Sequence, residues 1–410
     1  MSPARTPSRA RLAALTALLA LGVIGAAVPA AGKAPGTAGH RRPCVASKVP
    51  DRGPARDVRR IAERAKAEMG LKSVIVRVTV DGREIVTTAL GESMTGVPAT
   101  PALHFRNGNV AISYLGTALL RLVDQGRVGL DDPVARWLPG LADGDRITLR
   151  MLAASTTGLV DYVRLPEFQR AVAADPFRQW TAKELVALAT SRERWYEPGS
   201  NWSYSHANFV LLGEALEKIT GTRLDVLLQE EVLGPLGLRE TRNAFTPEIP
   251  APVLHAFAAD RGTYEESTFW NPSWTTAPGA VQTTDICDLA RSAAGIGSGR
   301  LLSPAGYREL LNPGTVGLGR PTKTCPATVC LANTEATHYG AGLLVLGDWV
   351  AQHPLFFGYS ASMAYLPSQR LSLAVSTTNG PDAAGGHSAH LIAQRIAAAL
   401  APDHPIPDFG

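Results

Sequence analysis

The sequence predicts a mixed α/β fold of the α+β kind: an antiparallel sheet built from both chain ends and flanked by helices, with a mostly helical subdomain inserted between. Three observations carry this expectation. A helical pattern and a strand hairpin come early, the middle repeats helical patterns between Gly/Pro-containing loops, and short strand patterns with a final helix close the chain. The predicted domain spans 56–405, with a sheet part over about 56–105 and 275–405 and a helical part over about 106–274.

Before that domain, Arg5, Arg9 and Arg11 precede an apolar run over 12–27 and then the small-residue sequence Val28-Pro29-Ala30-Ala31. This is the grammar of a signal peptide over 1–31, cleaved near Ala30. A retained membrane anchor is the alternative, but the run is short and Ala-rich for a stable span. A secreted protein with no membrane span after cleavage is expected. Cys44 follows Arg41-Arg42-Pro43 rather than the small and apolar residues that precede a lipidated cysteine. The stretch 32–55 is rich in Gly, Pro, Ala and Arg without hydrophobic periodicity and reads as a flexible linker outside the fold.

Within the domain, Val58, Ile61, Ala62, Ala65 and Met69 recur at helical spacing and stop at Gly70. Segments 73–80 and 83–90 are rich in β-branched residues and flank Asp81-Gly82, a strong two-residue hairpin signal. Helical patterns follow at 110–124, 181–189, 208–219 and 224–232. Strands are predicted at 342–346, 360–366 and 371–377, with turns at Gly347-Asp348 and Pro367-Ser368-Gln369, and a last helix at 388–400. No internal repeat is evident.

The chain has 410 residues, 45 % apolar and 19 % charged, enough to bury a large core and without a polar tract that would argue for disorder. A formal charge of +4, with several arginines in the first sixty residues, leaves no basic stripe for nucleic acid. Cys325 and Cys330 enclose a short Pro-containing segment, and a local disulfide is predicted there in an oxidising compartment. Cys287 lies in an apolar helical pattern and reads as core. His387 and His390 are three apart but lack a partnering cysteine or carboxylate cluster, so no metal and no other cofactor is expected.

The segment from Phe105 to Ile112, Leu122-Val123-Asp124-Gln125-Gly126-Arg127-Val128-Gly129-Leu130-Asp131-Asp132-Pro133, and Leu138-Pro139-Gly140 resemble the first signature region of class C β-lactamases, esterases and secreted D-Ala-D-Ala carboxypeptidases. The resemblance continues through Thr156-Thr157-Gly158-Leu159, Pro198-Gly199-Ser200-Asn201-Trp202-Ser203-Tyr204-Ser205 and Gly234-Pro235-Leu236-Gly237-Leu238, covering about 56–400. It implies the β-lactamase/transpeptidase-like fold. It also implies a Ser-x-x-Lys pair on one face at the start of a helix, where lysine takes the serine proton.

At those positions stand Asn109 and Ile112, and no Ser-x-x-Lys or Thr-x-x-Lys occurs anywhere in the chain. The second motif, Tyr-x-Asn, corresponds to Tyr204-Ser205-His206. The third, His-x-Gly or Lys-Thr-Gly, falls on Gln352-His353-Pro354 or, shifted by one, on His353-Pro354-Leu355. In either register the glycine is gone, and proline has no N–H to offer.

Plainer roles stand beside each motif position. Ile112 continues an apolar face with Leu115, Leu119 and Leu122, Asn109 suits a helix cap, and Tyr204 suits a buried phenol bonded to backbone. Asn109, Ile112, Tyr204, His206, Gln352 and His353 form the predicted ligand pocket, in which His206 and His353 together would offer acid/base or binding groups. The predicted function is non-catalytic binding of a peptidoglycan-peptide-like or small acyl, β-lactam-like ligand. The alternative is a hydrolase with rebuilt machinery using Ser113, Ser155, Tyr204 or a histidine-activated water.

Overall fold

The computed structural model describes residues 44–50 and 52–409. The predicted signal peptide and the linker up to residue 43 lie outside the described residues. Helix α1 (Pro54–Glu68) starts with proline at its first position and buries Ala55, Val58, Ala62 and Ala65 along one stripe. Strands β1 (Leu71–Val80) and β2 (Arg83–Met94) follow, joined through Asp81 and Gly82, whose φ values of 51° and 72° are those a twisted two-residue hairpin turn requires.

The main sheet adds β3 (Val97–Pro98), β4 (Thr337–Tyr339), β5 (Leu344–Leu346), β6 (Trp349–Gln352), β7 (Leu355–Phe356), β8 (Tyr359–Leu366) and β9 (Leu371–Asn379). Its order is β3-β2-β1-β9-β8-β6-β5-β4, with β7 paired to β8. All pairs are antiparallel, and Val76 sits opposite Val375 where the two chain ends meet. Every residue of β8 is buried, so both faces of the sheet centre are covered. Helix α1 packs there together with the last helix (Ser388–Leu400), while the helix at Ile286–Gly297 lies on β8 and β9.

Helix α2 (Val110–Asp124) has the predicted bounds and buries most of its length, Ile112 included. The inserted region continues with α3 (Leu149–Ala154), α4 (Pro166–Ala174), α5 (Ala182–Thr190), α6 (His206–Thr220) and α7 (Leu224–Leu228). A capping box between Thr181 and Glu184 starts α5. The pattern predicted as helix to residue 232 leaves the α form after Leu228 and continues as a π-helical turn over Gln229–Leu233. The region is not purely helical, because Arg242–Ala244 joins Phe105–Arg106 and Val281–Thr284 in a small sheet.

Two expectations about cysteine and linker are corrected. Cys287, expected in the core, is half-buried against it and bonded to Cys44, while Cys325 is bonded to Cys330 as predicted. The segment from Cys44 is therefore part of the fold rather than linker, and it also pairs with β2, where Ser47 N donates to Thr87 O at 2.9 Å. Its backbone hydrogen bonds and its disulfide replace the hydrophobic periodicity it lacks. Among the described residues no helix is long and apolar enough to cross a membrane.

Candidate functional site

A cleft of about 400 Å³ opens between the start of α2, the segment leading into α6 and the ends of β6 and β7. Asn109, Tyr204, His206, Gln352 and His353 all line it, together with Trp202, Trp274, Tyr339 and Phe409. Its size lies within the range of roughly 300–1,000 Å³ typical of small-molecule sites. Ile112 does not line the cleft; it is fully buried on α2.

Gly108, with φ of +48°, turns the chain into α2. A Cβ there would stand 2.8 Å from Pro354 Cβ, so only glycine lets Pro354 pack over the helix start. Asn109 occupies the N-cap position, yet its side chain makes no capping bond. Its amide donates instead to the Tyr204 phenol oxygen at 2.8 Å. The predicted cap is corrected: a partner from another element has captured the side chain. Burial, with the charges of Tyr339, Asp161 and Tyr162, pushes the Tyr204 phenol well above its ordinary value of 10.0, against the Asn109 hydrogen bond. The phenol therefore keeps its proton and remains a donor.

His206 opens α6, and its Nδ1 lies 2.9 Å from Asp161 Oδ1. The same oxygen accepts from the His206 backbone N–H at 3.2 Å, at a helix N-terminus where the macrodipole favours a carboxylate. Gln352 faces inward and donates to Gly342 O at 2.9 Å. His353 stacks on His390 at 4.2 Å and has its Nδ1 3.3 Å from His387 Nδ1. His206 and His353 thus share the cleft but not partners, and the acid/base pair expected of His206 with His353 is replaced by His206 with Asp161. Nothing local announces Asp161, which stands 45 positions earlier.

The two serine alternatives do not line the cleft. Ser113 Oγ, fully buried, donates to Val110 O at 2.6 Å. Ser155 Oγ donates to Ser203 O at 2.9 Å and accepts from Asn208 Nδ2 at 2.8 Å. Among the described residues the one group of metal-ligating atoms close enough to share an ion is Cys44, Asp285 and Cys287, whose sulfurs are spent on the disulfide.

The histidine cluster gives a pH prediction. Burial, then the charges of His390 and His387, push His353 down to about 3 from 6.5, and burial with His387 pushes His390 down to about 4 against Asp408. The unfolded chain binds these protons first, so this stability is complete above about pH 6.5 and is lost as pH falls towards the folded values. Between pH 7 and 4.5, His353 alone accounts for about 2 kcal/mol. Asp285, raised to about 6 by burial, works in the opposite direction. Thermal melts at both pH values should show a smaller acid loss for His353→Gln than for the native protein; equal losses would refute the assignment.

An antiparallel sheet from both chain ends, an inserted helical region and a cleft at the start of α2 define the class of serine β-lactamases and penicillin-binding proteins. The chain belongs to the Beta-lactamase family, whose model matches residues 58–397. It is 32 % identical over 195 residues to the D-alanyl-D-alanine-carboxypeptidase/endopeptidase AmpH of Escherichia coli, covering 45 % of this chain and 48 % of the relative. It is 30 % identical over 289 residues to a D-aminopeptidase of Cereibacter sphaeroides, covering 67 % of this chain and 49 % of that protein. The chain thus spans about half the length of these curated relatives. The D-stereospecific amidohydrolase from a Streptomyces species superposes with a TM-score of 0.68 at 26 % identity, over 86 % of this chain and 99 % of that one. The D-amino acid amidase of Ochrobactrum anthropi, at 21 % identity and a TM-score of 0.70 over 85 % and 99 % of the two chains, shares the fold.

Proposed function

We propose that this is an exported member of the family whose cleft holds a peptidoglycan-peptide-like or acyl ligand without forming an acyl-enzyme. The observation that carries the reading is the Asn109–Tyr204 hydrogen bond, because the residue at the nucleophile position is an amide locked to a phenol. Ile112, one helical turn on, is buried and can accept no proton. In a comparable serine hydrolase, losing one member of the nucleophile–base unit costs about six orders of magnitude in kcat. Binding is supported by unpaired buried polar atoms on two residues that line the cleft. Trp274 Nε1 and His353 Nε2 are buried with no protein partner, and such atoms seek a ligand or water. Relatives named for D-amino-acid chemistry support a ligand of that kind. The two disulfides support an oxidising compartment.

Intact-mass spectrometry after incubation with a fluorescent penicillin and a thioester should show no adduct, while calorimetry with a D-Ala-D-Ala dipeptide should show saturable binding. Asn109→Ser should also stay unlabelled, since the new hydroxyl has no base beside it. Rapid penicillin labelling of either protein would end this reading.

A further inference from the structure

The geometry points to a second chemistry in the cleft: His206, oriented by Asp161, acts as a general base that directs water at a bound ester carbonyl, with no covalent intermediate. This inference rests on the cleft accepting acyl ligands and goes beyond binding.

The Asp161 side chain is 5 % exposed, and its Oδ1 takes both the backbone N–H and the Nδ1–H of His206. That double contact fixes ring orientation and tautomer and leaves Nε2 as the basic nitrogen. Nε2 has no protein partner among the described residues, and His206 lines the cleft. The ring is boxed by Tyr204 at 4.9 Å, Tyr162 at 5.9 Å and Trp274 at 6.0 Å between centroids. Packing therefore holds it, so little reorganisation is needed for reaction.

A purely structural role explains Asp161 but not the imidazole. Asp161 caps the turn at Tyr162–Arg164 through Val163 N and meets the first N–H of α6, and any residue at position 206 supplies that second N–H. What the imidazole adds is a second, unpartnered nitrogen on a cleft-lining residue whose ring meets that of Tyr204. Tyr204 accepts from Asn109 and keeps its own proton, which it can give to a developing oxyanion.

In the step proposed, water oxygen bonds to the carbonyl carbon while its proton passes to His206 Nε2, and the carbonyl π pair moves to an oxygen that accepts from Tyr204. Collapse re-forms the carbonyl, breaks the ester C–O bond and returns the proton from Nε2 to the leaving oxygen. One water is consumed, with one acid and one alcohol or phenol formed. His206 and Tyr204 are the catalytic residues, and Asp161 is a positioning residue.

Hydrolysis of p-nitrophenyl butyrate by the full chain tests this. The native protein should exceed the rate of an equal concentration of imidazole by at least about 100-fold, the lower end of what a positioned base contributes, and mass spectra during turnover should show no butyryl adduct. His206→Ala should remove that excess, and added imidazole should restore part of it. Asp161→Asn should lower kcat about tenfold or more with KM little changed, as expected for lost orientation rather than lost binding. His206→Gln, which keeps a polar residue at the start of α6, guards against loss of fold, checked by its melting temperature. Native rates in both folded His206 variants, a butyryl adduct, or no excess over free imidazole would each overturn the inference. Dipeptide binding without turnover refutes this step alone, whereas absence of dipeptide binding refutes the reading beneath it.

Discussion

Ile112→Lys is expected to cost the protein about 3 kcal/mol or more, because it buries an ammonium group where the helix interior offers apolar contact. Ile112 has no exposed surface. Helix α2 also packs directly against the loop between β4 and β5, with no free space beside Ile112. A Cβ on Gly342 would stand 2.5 Å from Ile112 O and 3.2 Å from its Cγ2, and one on Gly116 would stand 2.0 Å from Ala341 O. The lysine must therefore sit nearly where isoleucine sits. Burial lowers a lysine pKa, so the cost should shrink as the pH is raised and the amine becomes neutral. Urea unfolding at pH 7 and pH 10 measures both effects, and a loss below about 1 kcal/mol at pH 7 would show that the site is polar after all. Combined with Asn109→Ser, this lysine places a base one helical turn from the new hydroxyl, and on the proposed reading slow penicillin acylation is expected of the double variant but not of the serine variant alone.

Removing the Cys44–Cys287 bridge should cost more than removing Cys325–Cys330. The first joins residues 243 apart and the second residues 5 apart. On the chain-entropy account the first restricts the unfolded chain by about 5 kcal/mol and the second by about 2 kcal/mol, both upper values because native strain and residual structure reduce them. The long bridge also holds the 44–50 segment beside β2, where Ser47 Oγ accepts from Thr87 N at 2.6 Å. Paired Cys→Ala variants, compared by denaturant midpoint, measure each contribution. Equal losses would mean that the N-terminal segment stays docked without its covalent tie. Peptide mapping without reduction checks the pairing itself.

The sequence by itself determined the elements whose signals are local. Asp81-Gly82 specifies its hairpin through the positive φ both residues adopt, and α2 and the final helix keep their predicted bounds because their apolar spacing is regular, with no side-chain cap at either start. The resemblance also pointed to Asn109, Ile112 and Tyr204 as the residues to examine, and of these Asn109 and Tyr204 line the cleft. The strands β4 and β6, three and four residues long, were not predicted.

Tertiary structure alone decided partnership. Asn109 was suited to cap its helix but is held by Tyr204, His206 found Asp161 rather than His353, and Cys287 found Cys44. Each choice depends on which elements dock, because an amide, an imidazole or a thiol accepts several partners of similar strength and takes the one that packing brings within about 3 Å. Apolar periodicity states only which face is buried. What that face is buried against, and hence which polar groups meet in the cleft, is settled when β9 closes onto β1 and brings the two ends of the chain together.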